Sequence, residues 1–177
     1  MANKNTPPAL NLYIVLILWL ALIGICTLVF TKVIKDKNNP NQQLQIQFSK
    51  NGNAQIVLKQ NQQGHYMASG QINNKRVDFL VDTGATLVAV PEHLARELNL
   101  VKASEFESMT ANGISRSFYT TINSIKLGAI EMNNVPASIS LGMTFDEVLL
   151  GMSFLRHFDI SQKMDELIIT VPEGAVQ

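Results

Sequence analysis

The apolar positions of this chain fall into one long run and many short ones. From Leu10 to Phe30 the sequence LNLYIVLILWLALIGICTLVF carries no charge, and only Asn11 is strongly polar. These 21 residues, coiled as a helix, cover about 31 Å, which matches the hydrocarbon core of a bilayer. A cleaved signal peptide has a shorter apolar stretch followed by a small-x-small site, whereas this run leads directly into TKVIKDKNN. The pattern therefore predicts a short N-terminal tail over residues 1–9 and an uncleaved transmembrane helix over 10–30, with the lipid bilayer as its partner.

Residues 31–63 change character. Between Asn38 and Gln63 the chain is rich in Asn and Gln, with Lys50 and Lys59 as its charges. Such a composition predicts a polar tether. The alternations Leu44-Ile46-Phe48 and Ile56-Leu58 also allow short strands at a domain edge. From Gly64 to Gln177 apolar residues recur in short runs separated by turn residues. HYMASGQI and KRVDFLV flank Asn73-Asn74, AIEMNNVPASISL carries a second hairpin signal at Asn133-Asn134, and DELIITV forms a last strand. PEHLARELNL reads as a short helix, with Pro91 at its start and Leu94 and Leu98 on one face. A second short helix follows VLLG through Gly151. The reading is a mostly β domain over 64–177 with one or two short helices, preceded by one transmembrane helix.

Charge narrows the function. Residues 1–63 hold six Lys and one acidic residue, while residues 64–177 hold eight basic and thirteen acidic ones. A domain with a net charge of −5 argues against nucleic acid as a partner. The single cysteine, Cys26, lies in the apolar run, so no disulfide forms within the domain. His65, His93 and His157 are far apart and have no Cys or Glu at ligand spacing, which leaves no metal site and reads them as surface or cap residues. No phosphate-cradling loop and no serine elbow are present, and no cofactor is implied.

One carboxylate motif remains. In FLVDTGATLVAV, Phe79 to Val90, an ionisable Asp82 with Thr83 and Gly84 is set between apolar runs, where a buried carboxylate costs several kcal/mol unless paired or neutral. VDFLVDTGATLVAVPEHLARELNL resembles the active-site segment of retropepsin-like aspartic proteases, in particular the bacterial membrane-anchored members. VLLGMSFL supplies the later apolar-apolar-Gly element of that family, with Leu149, Leu150 and Gly151. The resemblance extends over roughly Gly64 to Val171.

The resemblance implies a closed β barrel whose apolar-apolar-Gly strand threads beneath the catalytic loop. Asp82 is then the catalytic residue, and Thr83, Gly84 and Ala85 complete its loop. Leu149, Leu150 and Gly151 support that loop from below, with Gly151 leaving it room. The mechanism needs two carboxylates sharing a proton, and this chain carries the motif once. A homodimer acting on a peptide or protein substrate is therefore implied, with the last strand as a candidate interface element. Retroviral members close a glycine-tipped flap over the substrate, for which Asn112 and Gly113 in TANGIS are candidates, an ordinary hairpin being the alternative. Asp78, Asp146, Asp159 and Asp165 read as solvated or capping residues. Lys32, Lys35 and Lys37 after the span favour a cytoplasmic domain, whereas the anchored bacterial relatives favour the periplasmic side of the inner membrane. Besides an active endopeptidase, the sequence allows a non-catalytic relative that uses the same cleft to bind a peptide or protein.

Overall fold

The structure is a computed structural model that describes residues 9–49, 51–110 and 113–172. Its contacts separate two units, Met1–Lys37 and Asn38–Gln177.

The first unit is a helix, α1 (Ala9–Asn38). Its apolar side chains from Leu12 to Phe30 are exposed all round, so no face is reserved for a protein core. Thr27 and Thr31 return their hydroxyl protons to the carbonyls of Ile23 and Thr27, which removes two donors from an apolar surface. Among the described residues this is the one helix long and apolar enough to cross a membrane. It continues past Phe30, so the first residues of the expected tether are helical.

The second unit is mostly β. Its strands are β1 (Ile46–Phe48), β2 (Ala54–Lys59), β3 (Met67–Ile72), β4 (Lys75–Val81), β5 (Val88–Pro91), β6 (Glu105–Thr110), β7 (Gly113–Leu127), β8 (Ile130–Ser140), β9 (Val148–Leu150), β10 (Asp159–Lys163) and β11 (Glu166–Thr170). Two short helices, α2 (Glu92–Ala95) and α3 (Met152–Leu155), stand where the sequence predicts them. One sheet has the order β3-β4-β9-β5-β8-β7-β6, and a further pairing of β3 with β7 closes it into a barrel with β6 outside the ring. The second sheet has the order β1-β2-β11-β10.

Turn chemistry fixes the registers. Asn73 and Asn74 adopt φ of 49° and 64° and link Ile72 to Lys75 in a two-residue hairpin, a conformation Asn tolerates better than most residues. The hairpin expected at Asn133-Asn134 does not form. Gly128, with φ of 59°, makes the turn with Ala129 between Leu127 and Ile130, and β8 runs on through the two asparagines. Glycine meets the left-handed requirement without a Cβ penalty, so the turn settles there.

The core draws on both sheets. Ile56, Leu58 and Ile169 of the small sheet pack with Phe79, Val88, Leu150 and Phe154 of the barrel region, all essentially inaccessible. Each such side chain contributes about 1.5–3 kcal/mol by leaving water.

That core overturns the tether between Asn38 and Gln63 and moves the domain boundary from Gly64 to Asn38. β2 pairs along its length with β11, and Ile56 and Leu58 are buried. Asn39, Asn41 and Asn61 are 2%, 5% and 8% exposed. Asn41 donates through Nδ2 to the carbonyls of Lys59 and Met67 at 2.9 and 2.6 Å, while its Oδ1 accepts from the Lys59 amide at 2.8 Å. Asn39 donates to Asp78 Oδ1 at 2.9 Å, and Ser69 Oγ donates to the same oxygen. Asp78 is thus a half-buried member of a network and not a solvated turn residue. An amide side chain offers both a donor and an acceptor, so asparagine can substitute for a missing strand neighbour where an apolar residue cannot.

The last strand is also placed differently from expectation. β11 has β2 on one side and β10 on the other, so neither of its edges is open to a second subunit.

Candidate active site

The loop carrying Asp82 is built on β9. That strand lies between β4, to which it is parallel, and β5, to which it is antiparallel, with Val81 beside Leu150 and Ala89 beside Leu149. The chain leaves β4 at Val81, makes the turn Asp82–Leu87 and returns as β5 on the other side of β9.

Backbone hydrogen bonds fix the turn at both ends. The Asp82 amide donates to the Leu150 carbonyl at 3.2 Å, and the Ala85 amide donates to the Asp82 carbonyl at 3.3 Å. From beneath, the amides of Met152 and Ser153 donate to the carbonyls of Ala85 and Thr86 at 2.8 and 2.9 Å. The buried Ser153 hydroxyl accepts from the Val88 amide at 2.9 Å. Gly151 leaves this underside no spare room. A Cβ there would lie 2.2 Å from the Leu87 carbonyl oxygen and 2.8 Å from that of Ala85, both rigid backbone atoms. Leu150 is fully buried in the core, and Leu149 is half-buried between Leu80 and Ala89.

The carboxylate itself is held from one side. Asp82 Oδ1 accepts from the Gly84 amide at 2.9 Å, and a Cβ on Gly84 would come within 3.2 Å of that oxygen. Phe79, Val88 and Val90 of the apolar flanks are buried, but the motif between them is not. Asp82 is half-buried, Thr83 and Gly84 are exposed, and Ala85 is half-buried. The Thr83 hydroxyl has no partner among the described residues. A pinned, rigid loop therefore presents Asp82, Thr83 and Gly84 at the surface of a single chain. No cluster of metal-binding side chains occurs among the described residues.

Of the candidate flap residues, Gly113 opens β7 and pairs with Thr110 of β6. Gly113 is exposed with φ of 104°, a conformation that favours glycine, and Asn112 lies outside the described residues. Met109 and Ile114 face each other across the hairpin and are 89% and 70% exposed, which leaves an apolar pair in solvent beside Gly113. The loop that precedes β9 packs midway along this hairpin, with the Leu141 amide bonded to the Arg116 carbonyl and Gly142 against Ser115. Ser153 is not distinguished by the sequence alone. A serine after Gly151 carries no signal until the fold places its hydroxyl under Val88.

Residues 68–157 match the family described as gag-polyprotein putative aspartyl protease. An uncharacterised protein of a Sinorhizobium species is 32% identical over 120 residues, 66% of this chain and 52% of that protein. An uncharacterised protein of Rickettsia prowazekii (strain Madrid E) is 32% identical over 108 residues, 59% of this chain and 46% of that protein. The chain thus spans about half the length of these curated relatives. A crystal structure of a retropepsin-like aspartic protease from Rickettsia conorii superimposes with a TM-score of 0.57 at 26% identity, covering 74% of this chain and 96% of that one.

Proposed function

Because the chain belongs to the retropepsin-like aspartic protease family, we propose that it is a membrane-anchored endopeptidase that hydrolyses peptide bonds as a homodimer. The observation that carries this reading is the Asp82-Thr83-Gly84 turn, pinned to β9 from below and open to solvent above. A loop used only to connect two strands needs neither that support nor a half-buried carboxylate held by its own backbone.

The motif occurs once in the chain, and peptide hydrolysis by this chemistry uses two carboxylates. Two copies meeting about a two-fold axis bring one Asp82 from each subunit together, and the exposed Thr83 and Gly84 are the groups such a contact covers. The pair holds one proton between them, as in aspartic proteases generally. The ionised Asp82 takes a proton from water as the oxygen attacks the peptide carbon, and the protonated Asp82 gives its proton to the carbonyl oxygen. The tetrahedral adduct then collapses, the C–N bond breaks, and the amine leaves with a proton returned through the pair. α1, through residues 10–30, holds the enzyme to the bilayer and raises the local concentration of subunits. The hairpin tip with Met109, Gly113 and Ile114 supplies an apolar cover for an extended substrate.

The test compares the full chain in detergent with its Asp82→Asn variant. Each is incubated with a diverse peptide mixture between pH 3 and 7, and cut sites are read by mass spectrometry. We expect cleavage by the wild type and a loss of at least about a thousandfold in the variant, the scale of a missing acid–base group. Equal cleavage by both overturns the assignment of Asp82, and cleavage by neither leaves a peptide-binding module in place of an enzyme.

A further inference from the structure

The polar segment and the β3–β4 hairpin border a cavity of about 230 Å³, lined by Gln42, Ser69, Arg76, Lys126 and Gly128 among others. Strand register brings its two cations together. Gln71 pairs with Arg76 on one side and with Lys126 on the other, so the three side chains form a row on one face of the sheet. Arg76 donates through Nη2 to Ser69 Oγ at 3.3 Å, and Lys126 pairs with Glu131 at 3.4 Å, an exposed contact of little strength. The carboxylate of Asp78 lies beyond Ser69, and its Oδ1 already accepts from Ser69 and Asn39. The other N–H groups of Arg76 and Lys126 have no protein partner among the described residues, and phosphate oxygens suit them.

An apolar edge adjoins the cavity. Leu44 packs on Gly128, where an added Cβ would lie 3.2 Å from that of Leu44. Ile46 and Phe48 follow at alternate positions on β1, opposite Ile56 and Ala54 of β2. Cross-strand partners share a face, so Ile46 and Phe48 point to the side of the sheet that holds the core. Ile56 is buried there, yet Ile46 and Phe48 are 48% and 73% exposed. β1 therefore overhangs the core and leaves its apolar side chains in solvent. Gln42 is twelve residues past Phe30, the end of the apolar run, and eight of the twelve continue α1. Chain length alone then keeps the cavity within about 26 Å of that end, for any arrangement of the two units.

We propose that this face of the domain is a second membrane contact. Arg76 and Lys126 take the phosphate of an anionic lipid headgroup into the cavity, and Ile46 and Phe48 enter the boundary between headgroups and acyl chains. The proposal rests on the membrane span of the reading above and not on its peptide chemistry. A lipid surface presents phosphate at one level and hydrocarbon just beneath it. This face presents two cations beside two bare apolar side chains. Residues 64–177 carry a net charge of −5, so an anionic surface repels most of the domain and turns this cationic face toward itself.

For the test, the full chain is reconstituted in nanodiscs of phosphatidylcholine alone or of an equimolar mixture with phosphatidylglycerol. Hydroxyl-radical footprinting reads oxidation of Phe48, with Met109 and Met164, 89% and 92% exposed, as references in the same molecule. Met109 lies beside the start of β7, and Lys126 lies near the other end of that strand. Acetylation of Lys126 is read in parallel. Two basic groups at an anionic surface supply roughly a thirtyfold preference, so we expect relative Phe48 oxidation and Lys126 acetylation to fall at least about tenfold in the mixed discs. Arg76→Gln combined with Lys126→Gln is expected to restore the Phe48 oxidation seen in phosphatidylcholine. Equal oxidation of Phe48 in both discs overturns the proposal, and this result comes from the wild type and needs no variant to fold. Protection that persists in the double variant overturns it as well. Excess inorganic phosphate that shields Lys126 in phosphatidylcholine discs as strongly as the mixed lipid does assigns the cavity to a free anion and overturns the membrane contact. A chain that co-purifies with neither disc removes the span, and the proposal with it. Peptide cleavage plays no part in the readout, so failure of the protease reading is seen separately.

Discussion

The segment from Asn39 to Asn61 and the loop from Asp82 to Thr86 exchange the roles their compositions suggest. The first is Asn- and Gln-rich and looks like solvated spacer, yet it contributes buried asparagines and two core residues, Ile56 and Leu58. The second is flanked by apolar strands and looks buried, yet its central residues face solvent. Hydrophobicity averaged over a window misreads both. What decides burial is whether each polar group finds a partner. Asn41 finds three backbone partners and goes inside at little cost, whereas Thr83 finds none among the described residues and stays out.

Removing the polar segment breaks this contrast with the largest effect. A chain beginning at Gly64 loses β1, β2, Ile56 and Leu58, at least about 3–6 kcal/mol of apolar burial against a typical total stability of 5–15 kcal/mol. It leaves β11 with a bare edge as well. We expect it to be unfolded or aggregated, while a chain beginning at Asn38 folds; circular dichroism and urea melts of the two distinguish a domain from a tether. Next in size is Gly151→Ala, which places a methyl group against the Leu87 carbonyl. We expect a loss of about 3 kcal/mol in urea unfolding, with loss of cleavage as the loop shifts. Asn41→Ala comes third, at about 2 kcal/mol, because it leaves the Lys59 amide and two carbonyls unpaired. Its catalytic effect sharpens the comparison: Asn41→Ala is expected to lower stability more than kcat, and Asp82→Asn to lower kcat with the urea midpoint unchanged. If both variants lose stability alike, the two regions do not divide structure from chemistry.

The barrel's local elements were legible in the sequence. The Asn73-Asn74 hairpin, the short helices after Pro91 and Gly151, and the strands on either side of Asp82 follow from turn residues and period-two patterns that act over a few positions. The turn at Gly128 and the burial of Asn39, Asn41 and Asn61 were not legible. Each depends on partners more than fifteen residues away or on a competition between two acceptable turn sites. Of the candidate site, Asp82 and Gly151 stood out because few residue types fit their chemistry or space. Ser153 did not, since a serine after a glycine acquires meaning only from the fold that brings its hydroxyl to the Val88 amide.

The small sheet has a consequence for how the domain forms during synthesis. β2 and β11 lie against each other, and the side chains of Gln55 and Thr170 are bonded across 115 residues of chain. A contact of that span forms slowly, and during synthesis it waits until β11 has been made. Until β11 has left the ribosome, β2 has only the three-residue β1 beside it, and Ile56 and Leu58 lack the neighbour that Ile169 provides. The nascent chain therefore carries its aspartate long before it has a complete fold. The order of synthesis thus withholds the complete domain until β11 has been made.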